Sequence, residues 1–395
     1  MVIFSKISFS FILFNIIIFA IISNCLIDVN SYQRNKRSIV LINHKFVSPI
    51  PYYIGPFTKN YTSIHEALYR IQNNTCIRFK PAIFYVYGTG GFNFLRTHTL
   101  CESSSGPKLG DEKHINYVYI SENCEHSIGK IEQLVGKMLG LVPEIYRDDR
   151  NKYVQINYSN LDKRTRLFYK KASYKKNDTM TFGYDFLSGT HFYAKNYSVN
   201  GKVVIEPKKP YEYYKYSMGQ PYGLSFSDIK LLNKKYCFDI YRKNHCKNNG
   251  YRNPNNPKKC LCPSGFAGSK CEKQIKSSSA CGTTFRRAWS CVKQINVKGI
   301  AKCSYFIKSL KNKRVKIIID KSETEPNEHC YKNMGVEIKY RDNKGVSGVC
   351  LCGSYSNLTF ISENNFAVVV YHGFNETNRI NIRYQSVTKS AAKIK

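Results

Sequence analysis

The sequence predicts an α+β domain followed by a small disulfide-held module and an all-β sandwich. Three observations carry that prediction. Before Cys237, apolar residues at helical spacing are interleaved with β-branched and aromatic runs. Residues 246–271, CKNNGYRNPNNPKKCLCPSGFAGSKC, are dense in Cys, Gly and Pro and too short to build a core of their own. From Cys281 onward, strand-like runs such as VKIIID, GVEIKYR, NLTFIS and FAVVVYH follow one another, as in a β-sandwich.

Residues 1–24 hold a long apolar run after one early lysine and read as a secretory signal peptide, with an uncleaved anchor as the alternative. Arg34-Asn35-Lys36-Arg37 is a dibasic processing site. It makes 25–37 a short pro-segment and starts the mature chain near Ser38. Ile64, Ala67, Leu68 and Ile71 predict a helix over Tyr61–Thr75 capped by Thr62 or Ser63, and CIRFKPAIFYVYG after it reads as strand. Ile131, Leu134, Val135, Met138 and Leu139 form one buried helical stripe, closed by Gly140. SFSDIKLLNKK, Ser225–Lys235, is a further helix. A Lys/Ser linker joins the small module, 238–272, to the sandwich, 281–386, and a basic tail covers 387–395.

The bulk numbers bound the chemistry. With 395 residues, 42% of them hydrophobic, the chain can bury two or three cores. Fifteen cysteines suit an oxidising compartment, and removing Cys25 with the leader leaves an even number. Sequons at Asn60, Asn73, Asn157, Asn177, Asn196, Asn357 and Asn375 agree with secretion. No segment after the leader could span a bilayer. The net charge of +34 favours polyanions such as acidic glycans, although an AT-rich coding sequence would produce the same Lys, Asn, Ile and Tyr. The lysines are spread, with no basic–aromatic motif of a nucleic-acid reader, so nucleic acid is not an expected partner.

Four landmarks give the chain its resemblance to a known family. They are Ser48-Pro49-Ile50-Pro51-Tyr52-Tyr53-Ile54, Thr75-Cys76-Ile77-Arg78-Phe79, the helix at 130–140 with its tail Glu144-x-x-Arg147-x-Asp149-Arg150-x-x-Tyr153-Val154, and Gly223-Leu224-Ser225-Phe226-Ser227-Asp228-Ile229 running on to Tyr236-Cys237. In these the chain resembles the astacin zinc metalloendopeptidases, a metzincin family. It looks like the kind whose peptidase domain, here 38–237, is followed by EGF-like and CUB domains.

That resemblance implies a zinc site of the form H-E-x-x-H-x-x-G-x-x-H, in which histidines one turn apart share a helix face and the glutamate deprotonates the metal-bound water. Gly140 and Glu144 fix the register. The ligand positions are then Gln133, Lys137 and Pro143, and the general-base position is Leu134. The turn Ser188-Gly189-Thr190-His191-Phe192 has Thr190 for the family methionine and Phe192 for the transition-state tyrosine. None of these replacements can ligate zinc or move the proton: Lys⁺ and Pro offer no lone pair, a Gln amide is a weak ligand, and Leu cannot accept a proton. Nor does any pair among the nine histidines stand at ligand spacing; His126 near the helix start reads as a loop residue and His191 as a structural turn residue.

Neither catalysis nor a zinc cofactor is therefore expected, and the implied function is a secreted homologue that binds extracellular proteins or peptides. An active enzyme with a non-standard metal site, and a structural or polyanion-binding glycoprotein, are the alternatives. Lys137 either leaves a cation at the cleft floor, where it could hold a peptide or an anion, or snorkels to solvent. Glu144 corresponds to the glutamate that receives the new amino terminus. Asp28 lacks the pro-segment setting that caps zinc in the family. The implied disulfides are Cys76–Cys237, Cys101–Cys124, Cys246–Cys260, Cys262–Cys271, Cys281–Cys303 and Cys330–Cys352, with Cys291–Cys350 as an extra pair.

Overall fold

The computed structural model describes residues 45–56, 58, 61–107, 115–172 and 182–389. The leader, the pro-segment, Ser38, Asn60, Asn177 and residues 390–395 of the tail lie outside the described residues.

A five-stranded sheet opens the chain, built from β1 (Ile50–Ile54), β2 (Phe79–Pro81), β3 (Phe92–Arg96), β4 (Glu102–Ser103) and β5 (Tyr117–Ile120) in the order β2-β1-β3-β5-β4. All pairs are parallel except β4–β5 at the edge. Helices α1 (Tyr61–Asn74) and α2 (Ile128–Met138) pack together beside it. Ile64, Leu68 and Ile71 meet Ile131, Leu134, Val135 and Met138 in one core with Phe92 and Phe94. Each such side chain stabilises the fold by about 1.5–3 kcal/mol on full burial. Ser127 caps α2 by accepting from Lys130 N. Gly140, at φ +97°, ends the helix, and Leu141 N donates back to the Gly136 carbonyl.

Two expectations need correction here. Helix α1 already includes Tyr61, so Thr62 and Ser63 lie inside its first turn rather than capping it. The strand expected over CIRFKPAIFYVYG is only Phe79–Pro81, and Ile83, Phe84, Tyr85 and Tyr87 stand exposed in the following loop. An exposed apolar loop and a buried strand have the same composition, so periodicity alone could not separate them.

The next stretch is a series of 3₁₀ turns with a short ladder of β6 (Val154–Ile156) and β7 (Ile205–Pro207). Helices α3 (Phe226–Tyr236) and α4 (Phe238–Arg242) follow. Ser225 and Asp228 form a reciprocal capping box at the start of α3. The Cys76–Cys237 disulfide ties the end of α3 to the segment after α1, and Cys101–Cys124 ties β4's approach to α2's.

The small module carries β8 (Tyr251–Asn253), β9 (Asn256–Leu261), β10 (Phe266–Ala267) and β11 (Lys273–Gln274), held by Cys246–Cys260 and Cys262–Cys271. The sandwich then runs through β12 (Phe285–Arg287), β13 (Lys293–Lys298), β14 (Ala301–Lys308), β15 (Lys313–Glu323), β16 (Gly335–Lys339), β17 (Val349–Leu351), β18 (Ser354–Ile361), β19 (Phe366–Gly373) and β20 (Arg379–Thr388). Its sheets are β12-β14-β19-β16-β17 and β13-β20-β15-β18. Strand β19 is apolar on both faces for a reason. Ala367, Val369 and Tyr371 enter the sandwich core, while Val368 and Val370 cover Phe266 of the small module.

The sandwich shares its core with the second half of the α+β domain. Tyr184, Phe186, Tyr214 and Met218 belong to the same apolar cluster as Ile338, Tyr340 and Val349. Tyr214 Oη donates to the Ser347 carbonyl at 2.9 Å, and Tyr340 Oη to the Pro210 carbonyl at 2.9 Å. Arg341 lies over the rings of Tyr153 and Tyr211 and donates directly to the Tyr184 carbonyl.

Cys281 is bonded to Cys303. The extra pair Cys291–Cys350 does not form: Cys291 is exposed and free, whereas Cys350 is buried. Cys330 lies in bonding reach of both Cys350 and Cys352. Count alone pairs the two leftover cysteines, but the sandwich leaves Cys291 on its surface and places Cys350 inside, next to Cys330. Of the described sequons, Asn73, Asn157 and Asn357 are exposed and Asn196 and Asn375 half-buried.

Candidate functional site

Helix α2 carries three of the four positions of the expected metal site, and the structure shows what each replacement does. Gln133 is buried and donates through Nε2 to the Gln220 carbonyl at 2.7 Å. Gln220 in turn donates to the carbonyls of Leu187 and Gly223 at 3.0 and 2.8 Å and accepts from Tyr222 N at 2.7 Å. The chain at 187–189 and 220–223 is thereby drawn against the helix. A Cβ on Gly189 would stand 2.6 Å from the Gly223 carbonyl oxygen and 3.0 Å from Gln133 Cγ, so only glycine fits there.

Leu134, at the general-base position, packs in the core between the helices. Lys137 is half-buried, and burial lowers its ammonium pKa; Glu102 on β4 opposes that shift, and Lys130 two turns back adds to it. Lys130 is lowered by burial too, again with Glu102 opposing. Pro143 is buried and opens the 3₁₀ turn Glu144–Tyr146.

The turn at 188–192 is held by hydrogen bonds and ring packing. Asp228 accepts from Ser188 Oγ and Gly189 N, each at 2.7 Å. Thr190 Oγ1 donates to the Val142 carbonyl at 3.2 Å. His191 is buried, with Nε2 2.8 Å from Tyr184 Oη and Nδ1 2.6 Å from the Phe192 carbonyl. Burial pushes its pKa down to about 4, so the ring is neutral at physiological pH. Both nitrogens are committed to the turn. Phe192 lies among the rings of Tyr146, Tyr169 and Tyr197, at centroid distances of 5.9, 5.8 and 5.8 Å. His126 is exposed beside Glu125, at 3.5 Å.

Glu144 is buried beneath this turn. Its Oε2 has no hydrogen-bond partner among the described residues, and Arg147 Nε approaches to 3.5 Å while bonding Asp149 at 2.8 Å. Burial raises its carboxyl to about 8, with Arg147 opposing the shift. A buried oxygen without a hydrogen-bond donor is costly to keep ionised, which is why the carboxyl holds its proton.

Nothing in the sequence warns of Glu132 or Gln220. Glu132 is buried, with its carboxyl raised by burial to about 7, and lies 3.9 Å from Arg70. A charge one step off the apolar stripe reads as solvated, and only the packing of 220–224 covers it. No spacing marks Gln220, because its role is set by a backbone that crosses α2 from far along the chain.

The donor set does not fit zinc. Gln133 spends its amide on a backbone carbonyl, Lys137 and Pro143 offer no lone pair, and Leu134 is in the core. Among the described residues the groups dense enough for a metal are His245-Cys246-Cys260 and Cys330-Cys350-Cys352. Neither includes a residue of α2 or of the 188–192 turn, and Cys246 and Cys260 are bonded to each other.

Comparison with known proteins identifies the frame. The profile of the astacin peptidase family matches residues 41–237. The chain is similar to the zinc metalloproteinase nas-34 of Caenorhabditis elegans, with 28% identity over 91% of this chain and 59% of that protein. It is also similar to nas-23 of the same organism, with 31% identity over 83% of this chain and 62% of that protein. It thus spans about six-tenths of the length of these relatives. High choriolytic enzyme 1, a hatching enzyme zinc-protease of medaka, aligns at 27% identity and a TM-score of 0.42, covering 49% of this chain and 94% of that one. The α+β domain, with its sheet, its two packed helices and its paired cysteines, belongs to the astacin family.

Proposed function

We propose that this protein is a secreted astacin homologue that binds extracellular proteins or peptides and does not cut them. The observation that carries this reading is the Gln133–Gln220 hydrogen bond, which closes the first metal-ligand position with a backbone contact. The other three positions support it, since Pro143 and Leu134 offer neither a metal lone pair nor a proton acceptor, and Lys137 offers none as an ammonium. Phe192 lacks the hydroxyl that would assist a tetrahedral intermediate. On this reading no zinc is held.

The cysteine-held module is read as EGF-like and the sandwich as a CUB domain, both suited to protein contacts. No helix among the described residues is long and apolar enough to cross a membrane. Acidic glycans are a second class of partner, favoured by the charge of +34.

The test is zinc content of the processed chain by elemental mass spectrometry, together with hydrolysis of denatured casein with and without a chelator. Background zinc and no cleavage are expected. Stoichiometric zinc with chelator-sensitive cleavage would sink the proposal and restore an enzyme.

A further inference from the structure

The loop after β2 presents an apolar tip to solvent. Ile83 is 85% exposed and Phe84 79%, and Tyr87 is 57% exposed beside them. Two adjacent side chains of this size in open water mark an interaction surface rather than a scattered surface residue. Both ends of the loop are anchored. Ala82 N donates to the Tyr52 carbonyl at 2.8 Å. At the other end Val86 is clamped by buried Asn93, which accepts from Val86 N at 2.9 Å and donates to its carbonyl at 2.8 Å. A Cβ on Gly91 would stand 2.0 Å from the Pro51 carbonyl oxygen, which pins the exit of the loop to β1. Ile83 and Phe84 lie exposed between these two tied ends.

The surroundings specify the partner. No Asp or Glu occurs between Glu66 and Glu102; of the cations in that stretch Arg70 pairs with Glu66 and Glu132 and Arg96 with Glu122 and Glu125, which leaves Arg78 and Lys80. Lys80 and Arg78 are exposed on and beside β2, the outer strand of the sheet, and neither belongs to an ion pair among the described residues; Arg78 keeps its charge but donates to the carbonyls of Gln72, Thr75 and Ile77 and to Asn255, so Lys80 is the freer of the two. Tyr85 and Tyr87 flank the tip, with Tyr85 against Tyr53 at 4.7 Å. Apolar side chains at the centre, tyrosines at the rim and unneutralised cations behind them match the layers of a lipid interface from acyl chain to headgroup.

We propose that the Ala82–Tyr87 loop is a membrane-interface wedge that docks the protein on anionic phospholipid, with Ile83 and Phe84 entering the acyl boundary. The proposal is independent of the zinc question.

The experiment is co-sedimentation of the full processed chain with phosphatidylcholine–phosphatidylserine vesicles, comparing wild type with the double variant Ile83→Ser/Phe84→Ser. Wild type should sediment, and the double variant should bind roughly tenfold or more weakly, as expected for two lost apolar insertions. A second reading uses Phe84→Trp in a Trp289→Phe background, which removes the only native tryptophan. Its emission should shift to the blue on vesicles. Wild type remaining in the supernatant overturns the proposal and leaves a protein groove as the occupant. A double variant that sediments as well as wild type, or a tryptophan whose emission does not move, overturns it in favour of general charge attraction.

Discussion

Gln133 Nε2 and the Gln220 carbonyl oxygen lie 2.7 Å apart, both buried, across 87 residues of chain. This bond joins α2 to the segment leading into α3 at the place where a metalloendopeptidase would hold its metal. Replacing Gln133 with Ala leaves the carbonyl of Gln220 buried without that donor. Chemical denaturation should show a loss of about 1–3 kcal/mol. A variant as stable as the parent would mean that the bond contributes nothing to the fold.

The helix and turn around the expected metal site keep the family frame, so on the proposed reading the ligand set should be recoverable. The combined variant Gln133→His, Leu134→Glu, Lys137→His and Pro143→His places two imidazoles one turn apart on α2 and a third after Gly140. It should bind stoichiometric zinc and gain thermal stability from it. Its metal-free form should be less stable than the parent, because the carboxylate introduced at Leu134 would sit in the core. Equal zinc in parent and variant, measured by elemental mass spectrometry, would contradict this.

Stability should depend on pH in a way that reports processing. Burial raises Glu144 to about 8 and Glu132 to about 7, so the folded chain keeps protons that the unfolded chain has released. Stability therefore falls as pH rises from the ordinary carboxyl value, 4.5, to about 7 for Glu132 and about 8 for Glu144. His191, lowered to about 4, acts in the opposite sense: it costs stability as pH falls from 6.5 towards 4, and is neutral in both states above that. Lys230, Lys235 and Lys344, lowered by burial to about 8, raise stability with pH only from about there upward. Between pH 6.5 and 8 Glu144 should dominate, with Glu132 adding to the fall up to about 7. An amino group released at Ser38 and paired with Glu144 would hold that carboxylate ionised and flatten the slope. Melting curves of the processed chain and of a cleavage-blocked Arg37→Ala chain should differ accordingly, and identical slopes would argue against the pairing.

Glu337 fastens the small module to the sandwich. It pairs with Lys339 at 3.2 Å, accepts from Gly348 N at 2.8 Å and takes a hydrogen bond from Ser264 of the module. Burial alone would raise its carboxyl, but Lys339, Ser264 and Gly348 hold it below its ordinary value. Glu337→Ala strands a largely buried ammonium, which keeps only the carbonyls of Lys344 and Val346. The expected cost is about 3 kcal/mol, read by denaturant melting. A loss within measurement error would show the pair to be replaceable.

Thiol chemistry should show two free sulfhydryls per processed chain. Cys330 can bond only one of its two neighbours, which leaves one of Cys350 and Cys352 reduced alongside exposed Cys291. Native alkylation should label Cys291 alone, and alkylation after unfolding should add a second site within the 350–352 pair. Peptide mapping that finds Cys291 joined to Cys350 would overturn the placement of both.

Much of the fold was legible in the sequence because it rests on local physics. Ile131, Leu134, Val135 and Met138 recur at helical spacing, Gly140 ends the helix, and Ser225 with Asp228 spells a capping box; such signals act over a few residues and survive without context. The residue types at the expected ligand positions were legible too, since a Pro side chain lacks a lone pair in any fold and a Lys offers none as an ammonium. The tertiary structure alone decided what the replacements do. Gln133 could have faced water, and only the crossing of residues 220–223 over α2 makes its amide a clasp. Glu132 and Glu144 owe their raised pKa values to distant segments that cover them. The same holds for Ile83 and Phe84, whose strand-like composition conceals an exposed loop clamped by Asn93, and for Cys291, which chain count pairs and the sandwich separates. Composition fixes what a side chain can do chemically, but burial and partners are set by chain contacts whose sequence separation leaves no periodic trace.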